Sequence, residues 1–346
     1  MVYINLIILL IGLVLLVKGS DYFVKSSSSI ANKMGVSEFT IGLTLVAVGT
    51  SIPELASSIA ASLQNAGGIV IGNVLGSNIA NIALIVGCAA IISTIKTETE
   101  MLKRDGYIML FAAVLFLIFS LNSSISRIEG IIFVLFFIAY ILFLFHDKTK
   151  YEEELHFKDF INYFFRFKYI TDVKQKIESG INQKSVDGKQ EPSIAFEGMN
   201  KDFLVIVLSG FSIVFGARYF IEQTIFFAQL LNLSDDLIGI SLVAVGTSLP
   251  ELMVTLSASK RGYGSIALGN VIGSNIANVL LILGVSSILL PLDVSKLTLQ
   301  FTAPFMIFVS VLLLIFIATH WEIRKSEGLA LITLYILFMI GLFYLI

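Results

Sequence analysis

The sequence predicts an all-α membrane protein with ten transmembrane helices, arranged as two five-helix repeats of inverted topology. Three observations predict this fold class: an apolar composition, ten apolar segments long enough to span a bilayer, and an internal duplication of the chain. Of the 346 residues, 56% are hydrophobic and only 14% are charged. A soluble domain of this size would carry more charge on its surface, so the chain is expected to cross a membrane several times.

Ten segments have the length and apolar character of a transmembrane helix, which needs about 20 residues. The first segment has no basic residue before it and no small-residue cleavage site after it, so we expect a retained helix and not a signal peptide. The predicted spans are residues 2–26, 38–64, 69–93, 105–121, 126–146, 201–231, 236–259, 264–290, 299–319 and 325–346.

The two halves of the chain are related by an internal duplication. When the sequence is shifted by 197 residues, 41–87 aligns with 238–284 without a gap, and 28 of the 47 pairs are identical. Each half holds five spans, so the second half is expected to enter the membrane from the opposite side, as in the inverted repeats of many secondary transporters. We therefore predict a first half at 1–146, a polar connector at 147–200 and a second half at 201–346.

The distribution of basic residues predicts the orientation in the membrane. Most loop lysines and arginines fall on the side that holds the connector, which predicts a cytoplasmic connector and both termini outside the plasma membrane. Within the connector, the segment HFKDFINYFFRFKYI at 156–170 mixes aromatic and basic residues, a composition that suits a helix at the membrane interface. The basic residues in the loops of this side are Lys33, Lys96, Lys103, Arg104, Lys260, Arg261, Arg324 and Lys325.

The first repeated motif places a proline and a glutamate inside predicted spans. It reads VAVGTSIPE at 46–54 and VAVGTSLPE at 243–251. Proline frees the carbonyl four residues earlier, and free backbone groups at membrane depth must line a cavity or find a partner. An ionised carboxylate in lipid costs several kcal/mol unless it is paired, and no lysine or arginine lies near the middle of a repeat helix. Glu54 and Glu251 are therefore predicted to bind cations, with nearby oxygens from Thr50, Ser51, Thr247 and Ser248.

The second repeated motif reads GNVLGSNIAN at 72–81 and GNVIGSNIAN at 269–278. Its polar residues recur every four positions, which places them on one helix face, and its glycines allow close helix packing. Hydrogen bonding between helices without an ion is an alternative that this motif leaves open. An all-oxygen ligand set favours calcium or sodium over zinc or copper. The polar residues of this face are Asn73, Ser77 and Asn81, and Asn270, Ser274 and Asn278.

Through these doubled motifs the sequence resembles the calcium:cation antiporter superfamily, in particular its prokaryotic sodium/calcium exchangers. The resemblance covers nearly the whole chain outside the connector. It implies a secondary active antiporter, not an enzyme, that needs no cofactor, binds no nucleic acid and functions as a monomer in the bilayer. It implies calcium bound by Glu54 and Glu251 with the carbonyls of Thr50 and Thr247. It implies sodium ligands from Ala47, Thr50, Ser51, Ser77 and Glu251, and from Ala244, Thr247, Ser248, Ser274 and Glu54, with Asn81 and Asn278 lining the centre.

Sodium is favoured over two other coupling ions. The potassium-dependent branch of the superfamily carries aspartate at the position of Asn278, and the proton-coupled branch carries an acid at Asn81 or Asn278. Two glutamates give the site a charge of about −2, so a third sodium ion would make the exchange electrogenic. Proton/calcium antiport remains the alternative coupling. A passive calcium channel and an intramembrane hydrolase are the more distant rivals. Channels usually gather subunits around an axis, and the three histidines lie at span ends or in the connector, where none can act as base for a serine inside the membrane.

Overall fold

The computed structural model describes residues 2–34, 37–99, 101–144, 156–171, 199–230 and 244–345. Within these ranges, eight helices are long and apolar enough to cross a membrane, and a ninth span is added if one bent pair of helices counts as a single crossing. The predicted class, a helical protein that crosses the membrane several times, is confirmed. The predicted span 236–259 begins outside the described residues.

The helices and strands are numbered in chain order. The first half contains α1 Val2–Met34, α2 Glu38–Thr50, α3 Ile52–Leu63, α4 Gly67–Ile92, β1 Ile95–Lys96, α5 Met101–Asn122, β2 Ser124–Ile125 and α6 Arg127–Leu144. The connector contains α7 Phe157–Phe165. The second half contains α8 Met199–Leu230, α9 Ala244–Thr247, α10 Leu249–Lys260, α11 Gly264–Leu289, β3 Leu292–Asp293, α12 Thr298–His320, β4 Glu322–Ile323 and α13 Lys325–Leu345.

The predicted span 38–64 is two helices and not one kinked helix. α2 and α3 meet at an angle of 44°, and the break lies at Ser51, whose φ and ψ are −84° and 5°. Pro53 falls in the first turn of α3, where a missing N–H costs no helical hydrogen bond. The proline therefore starts a helix. The second half repeats this break at Ser248, which precedes Pro250 in the first turn of α10.

The helices that carry the second motif form the centre of the molecule. In α4 and α11, 72% and 83% of the most apolar stretch is buried, against 22% in α1 and 28% in α8. α1 and α8 pack along each other on the outside, where Ser212 Oγ donates to the carbonyl of Leu15 at 3.0 Å. The polar motif thus lies inside the bundle, and the two long helices form an outer layer.

Two short antiparallel strand pairs join the halves. Ile95 of β1 pairs with Ile323 of β4, and Ile125 of β2 pairs with Leu292 of β3. The two pairs lie at opposite ends of α5, because α5 connects β1 to β2. α12 connects β3 to β4, so it starts where α5 ends. α5 and its counterpart α12 therefore run in opposite directions through the bundle.

The connector helix α7 packs against the first half through aromatic side chains. Phe160 and Tyr163 are buried, and Phe164 stacks on Phe136 of α6 with ring centroids 3.9 Å apart. Phe157 contacts Tyr107 of α5 in an edge-on geometry. The connector is therefore anchored to α5 and α6 at this point, while its placement at the membrane interface stays a prediction. The rest of the connector lies outside the described residues.

The backbones of α2 and α11 approach each other closely at the glycines of the second motif. A Cβ at Gly273 would lie 2.5 Å from the carbonyl oxygen of Leu43 and 2.7 Å from Cβ of Ala47. A Cβ at Gly269 would lie 2.6 Å from the carbonyl oxygen of Phe39. Since backbone atoms cannot move aside as side chains do, only glycine fits here.

We expect Gly273→Ala to destabilise the protein by about 1–3 kcal/mol, the usual range for overpacking a tight interior. Gly68→Ala is the matched control, because Gly68 is exposed and has no described atom within 4 Å of its added Cβ. Thermal unfolding in detergent measures both variants. Equal unfolding temperatures for Gly273→Ala and Gly68→Ala would contradict the close packing of α2 and α11.

Candidate cation-binding site

The glutamate of each first motif lies in the first turn of a helix that begins directly after the break between two helices. Glu54 is in α3 and Glu251 is in α10, and each side chain is 1% exposed. The N-terminal turn of a helix favours negative charge through its free N–H groups and its dipole. The two carboxyl groups lie close enough to interact directly. The fold therefore brings the two predicted carboxylates together inside the bundle.

The serines at the breaks between these helices contact the opposite half of the chain. Ser51 Oγ lies 3.1 Å from Glu251 Oε1, to which it donates, and 3.1 Å from Ser274 Oγ. Ser248 Oγ lies 3.1 Å from Ser77 Oγ. These four serines are buried. The serine hydroxyls predicted as sodium ligands thus form two pairs, each with one member from each half, and Ser51 of the first pair also contacts Glu251.

Threonines of the first motif are held by asparagines of the second. Thr50 Oγ1 donates to Asn270 Oδ1 at 3.1 Å, and Thr247 Oγ1 donates to Asn73 Oδ1 at 3.3 Å. Asn270 also donates to Thr255 Oγ1 at 2.9 Å. Asn73 and Asn270 therefore use their amides in hydrogen bonds that position the motif helices. For these two asparagines, the contacts match the alternative in which the second motif forms hydrogen bonds between helices without an ion.

The carbonyl of Ala47 lies at the end of α2, where the helix breaks. Its oxygen accepts from Ser51 N at 3.1 Å, from Thr50 Oγ1 at 3.2 Å and from Ser274 Oγ at 3.5 Å. It therefore belongs to the same oxygen cluster as the serines. Its counterpart Ala244 is the first residue of α9.

Four asparagines cross between α4 and α11 in reciprocal pairs. Asn81 Nδ2 donates to Asn275 Oδ1 at 3.0 Å, and Asn278 Nδ2 donates to Asn78 Oδ1 at 2.9 Å. Asn78 and Asn275 each donate to the other's backbone carbonyl at 3.3 Å. Each contact of one half is matched by a contact of the other half at an interval of 197 residues, the pattern of an approximate two-fold axis.

Sequence reasoning missed Asn78 and Asn275. It selected residues at intervals of four in each repeat, and these two follow Ser77 and Ser274 directly. The signal was present, because both are part of the identical GSNIAN segment. They also lie three positions before Asn81 and Asn278, a spacing that shares a helix face as well as four does.

Among the buried side-chain oxygens that lack a hydrogen-bond partner in the described part of the chain, four belong to the repeated motifs. They are Glu54 Oε2, Glu251 Oε2, Asn81 Oδ1 and Asn278 Oδ1. Two ionised carboxylates are both acceptors and cannot satisfy each other. An unpartnered buried acceptor costs about 1–3 kcal/mol, and a cation that contacts such an oxygen removes that cost.

The chemistry of these oxygens suits a hard cation. Carboxylate, amide, hydroxyl and carbonyl oxygens are the ligands of calcium and sodium, whereas zinc and copper prefer nitrogen and sulfur. Within the described ranges, no group of three or more His, Cys, Asp or Glu side chains could hold a metal ion. The site therefore combines two carboxylates with neutral oxygens from both halves.

Comparison with known proteins identifies relatives along the whole chain. The family model "Sodium/calcium exchanger protein" matches residues 4–146 and 201–344. The chain is 59% identical to the sodium/calcium exchanger MaX1 of Methanosarcina acetivorans, over 100% of both chains. It is 24% identical to the human sodium/potassium/calcium exchanger 5, over 75% of this chain and 65% of that protein. A structure of the sodium-calcium exchanger NCX_Mj soaked with zero Na+ and Ca2+ matches with a TM-score of 0.77 and 32% identity, and covers 99% of this chain and 100% of that one.

Proposed function

Because this chain belongs to the sodium/calcium exchanger protein family, we propose that it is a secondary active antiporter that exchanges calcium for sodium by alternating access. The observation that carries the proposal is that Glu54 and Glu251 are both buried inside the bundle. Each has one carboxylate oxygen that lacks a hydrogen-bond partner among the described residues. A site built equally from two related halves suits a carrier that opens alternately to two sides.

The proposed architecture is ten transmembrane helices in two five-helix repeats of inverted topology. The opposite directions of α5 and α12 and the reciprocal contacts of the asparagines support it. The halves are residues 1–146 and 201–346. The distribution of basic residues supports a cytoplasmic connector at 147–200, with both termini outside the plasma membrane.

In the proposed site, calcium lies between Glu54 and Glu251, with the carbonyls of Thr50 and Thr247 as further ligands. Sodium uses the serine clusters on either side of the glutamates, and the orphaned amide oxygens of the second motif line the centre. Transport needs no cofactor. The proposed ligands are Glu54, Glu251, Ala47, Ala244, Thr50, Thr247, Ser51, Ser248, Ser77, Ser274, Asn81 and Asn278.

The outer helices α1 and α8 are the elements proposed to move. Each comes before the repeated motifs of its half, and only 22% and 28% of their most apolar stretches are buried. Segments with little buried surface rearrange at the lowest free energy. Lys33 Nζ of α1 lies 2.6 Å from Asp202 Oδ2 of α8, so the two helices are tied together at one end. We propose that they slide as a pair across the remaining bundle.

The proposed exchange moves more than two sodium ions for each calcium ion. Two ionised glutamates are neutralised by one calcium or by two sodium ions, so a third sodium ion leaves the loaded site positive. Both halves carry asparagine at positions 81 and 278, which adds no further charge. The exchange is therefore electrogenic, and it has no potassium requirement.

Calcium-45 uptake into proteoliposomes tests which ion drives transport. We expect rapid uptake when the vesicles hold sodium and the outside medium holds choline, and no uptake with a proton gradient alone or with no gradient. Uptake driven by protons in the absence of sodium would assign the chain to proton/calcium exchange, and equal uptake with no gradient would indicate a channel.

Acidification is expected to weaken calcium binding. Protons and calcium compete for the same two carboxylates, and protonation of either one removes a ligand and one unit of negative charge. Affinity therefore falls as pH falls, and we expect at least a tenfold loss between pH 8 and pH 5. Isothermal titration of the purified protein with calcium measures this, and an affinity that is constant over the range would contradict it.

A further inference from the structure

Helix α1 carries a stripe of charged residues within its membrane span. Lys18, Asp21 and Lys25 are spaced i, i+3 and i+7, so they lie on one face of the helix, and they follow the apolar stretch 2–17. Ionisable residues inside a span are costly and mark functional sites. The exchange site does not use this stripe, because the glutamates lie on α3 and α10.

The stripe lines a cavity of about 150 Å³ between α1 and the end of α10. The cavity has room for about five water molecules, at roughly 30 Å³ each. Its lining combines three cationic groups, one carboxylate and one phenol. The lining residues are Lys18, Asp21, Tyr22, Lys25 and Arg261.

Asp21 fixes the position of Arg261 at the wall of this cavity. Its Oδ1 accepts a hydrogen bond of 2.6 Å from Ser257 Oγ and one of 3.3 Å from Arg261 Nε, and Arg261 NH2 lies 3.2 Å away. One carboxylate cannot neutralise three cations, so the lining keeps a charge of about +2. The cavity is therefore built to receive an anion.

The second half does not repeat this arrangement. At the interval of 197 residues, Lys18 corresponds to Phe215, Lys25 to Glu222 and Arg261 to Gln64. The counterpart of Asp21 is Arg218, which pairs with Glu222 at 2.8 Å. The same fold therefore forms in the other half without three basic residues at these positions. The need to fold does not by itself explain why the first half carries them.

We infer that this cavity binds the phosphate group of an anionic ligand, through Lys18 and Lys25 of α1 and Arg261 at the end of α10. Arginine and lysine are the side chains that bind phosphate. Lys18, Tyr22 and Lys25 lie on the outer helix α1, and lysine and tyrosine side chains on such a helix extend toward the headgroup layer. The bilayer supplies such a group as an anionic phospholipid headgroup, and free phosphate has the same chemistry.

Bound phosphate would join the outer helix α1 to α10, the helix that carries Glu251. The ligand therefore stabilises the arrangement of α1 that the structure shows, and its effect is measurable as a rise in unfolding temperature. Because the bound group contacts both helices, it adds to the Asp21 contacts and to the apolar packing of Val24 and Val254 that already join them.

The test titrates the purified full-length protein in detergent with dioleoylphosphatidylglycerol, dioleoylphosphatidylcholine or inorganic phosphate. Unfolding temperature and the number of retained lipids by native mass spectrometry are the readouts. Lys18→Gln with Lys25→Gln is the test variant, and Lys18→Arg with Lys25→Arg preserves the charge. Lys103→Gln with Lys325→Gln is the matched control, since both lysines are exposed, lie away from the cavity and carry the same charge.

We expect phosphatidylglycerol to bind the wild type, the arginine variant and the control within twofold of one another, and to bind the test variant at least fivefold more weakly. Stabilisation by inorganic phosphate alone, lost in the test variant, would assign the site to the free ion. The proposal is overturned if the control loses as much lipid binding as the test variant, or if no phosphate-bearing ligand distinguishes the test variant from the wild type. Lipid binding is measured without transport, so its outcome is independent of the exchange activity.

Discussion

Glu54→Gln and Glu251→Gln are each expected to reduce calcium uptake at least a hundredfold while the protein remains folded. In the proposed site, each glutamate supplies half of the negative charge that neutralises calcium. Removing one member of a buried charge pair typically costs 3–5 kcal/mol, which corresponds to a factor of roughly 10²–10⁴ in affinity. Glutamine keeps the size and one oxygen of the side chain, so the change isolates the charge.

Glu98→Gln is the matched control for this pair of variants. Glu98 is exposed, and its side chain accepts a hydrogen bond from Ser265 Oγ at 3.0 Å. We expect its uptake to stay within twofold of the wild type. Sodium-driven calcium-45 uptake measures all three variants, and near-normal uptake in Glu54→Gln or Glu251→Gln would remove that residue from the site.

Asn275→Leu is expected to reduce calcium uptake by about 10–100-fold and to lower the unfolding temperature. The substitution keeps the branched shape of the side chain, with two methyl groups in place of the amide, and removes the acceptor for Asn81 Nδ2 and the donor to the carbonyl of Asn78. Each polar group left unsatisfied costs about 1–3 kcal/mol. Asn81 then loses the contact that holds its side-chain amide, whose Oδ1 has no partner among the described residues. Asn78→Leu removes the reciprocal contacts and should have a similar effect.

Asn162→Leu provides the control, because Asn162 lies on the exposed face of α7. Measurements of uptake and of thermal unfolding on the same preparations separate the two effects. Normal uptake in both Asn275→Leu and Asn78→Leu would show that the crossing asparagines do not position the site.

Much of the fold could be predicted from composition and periodicity, because membrane spans depend on local hydrophobicity. The repeated glutamates could also be placed together, since the duplication relates them by symmetry. The break between helices at Ser51 was harder to predict from the sequence. A proline four residues after a glycine is compatible with a kinked helix or with a new helix, and the choice depends on the packing of α2 against α11.

Contacts between distant segments account for what the sequence did not predict. The pairing of Ile95 with Ile323 joins two-residue strands more than 200 positions apart, too short to give a period-2 pattern. Asn78 and Asn275 were overlooked for a similar reason, since each partner belongs to the other half. The cavity beside Lys18 likewise depends on Arg261, which the sequence places far from α1.

The most direct test of the account is sodium-driven calcium-45 uptake at a fixed membrane potential. Vesicles hold sodium, calcium is added outside, and a gradient of the permeant anion thiocyanate sets the potential, with and without potassium. Exit of three sodium ions for entry of one calcium ion moves one positive charge outward, worth about 2.3 kcal/mol per 100 mV. We expect an inside-positive potential to accelerate uptake, an inside-negative potential to slow it, and potassium to have no effect. Uptake that needs potassium, ignores the potential or persists without sodium would contradict electrogenic sodium/calcium exchange at the paired glutamates.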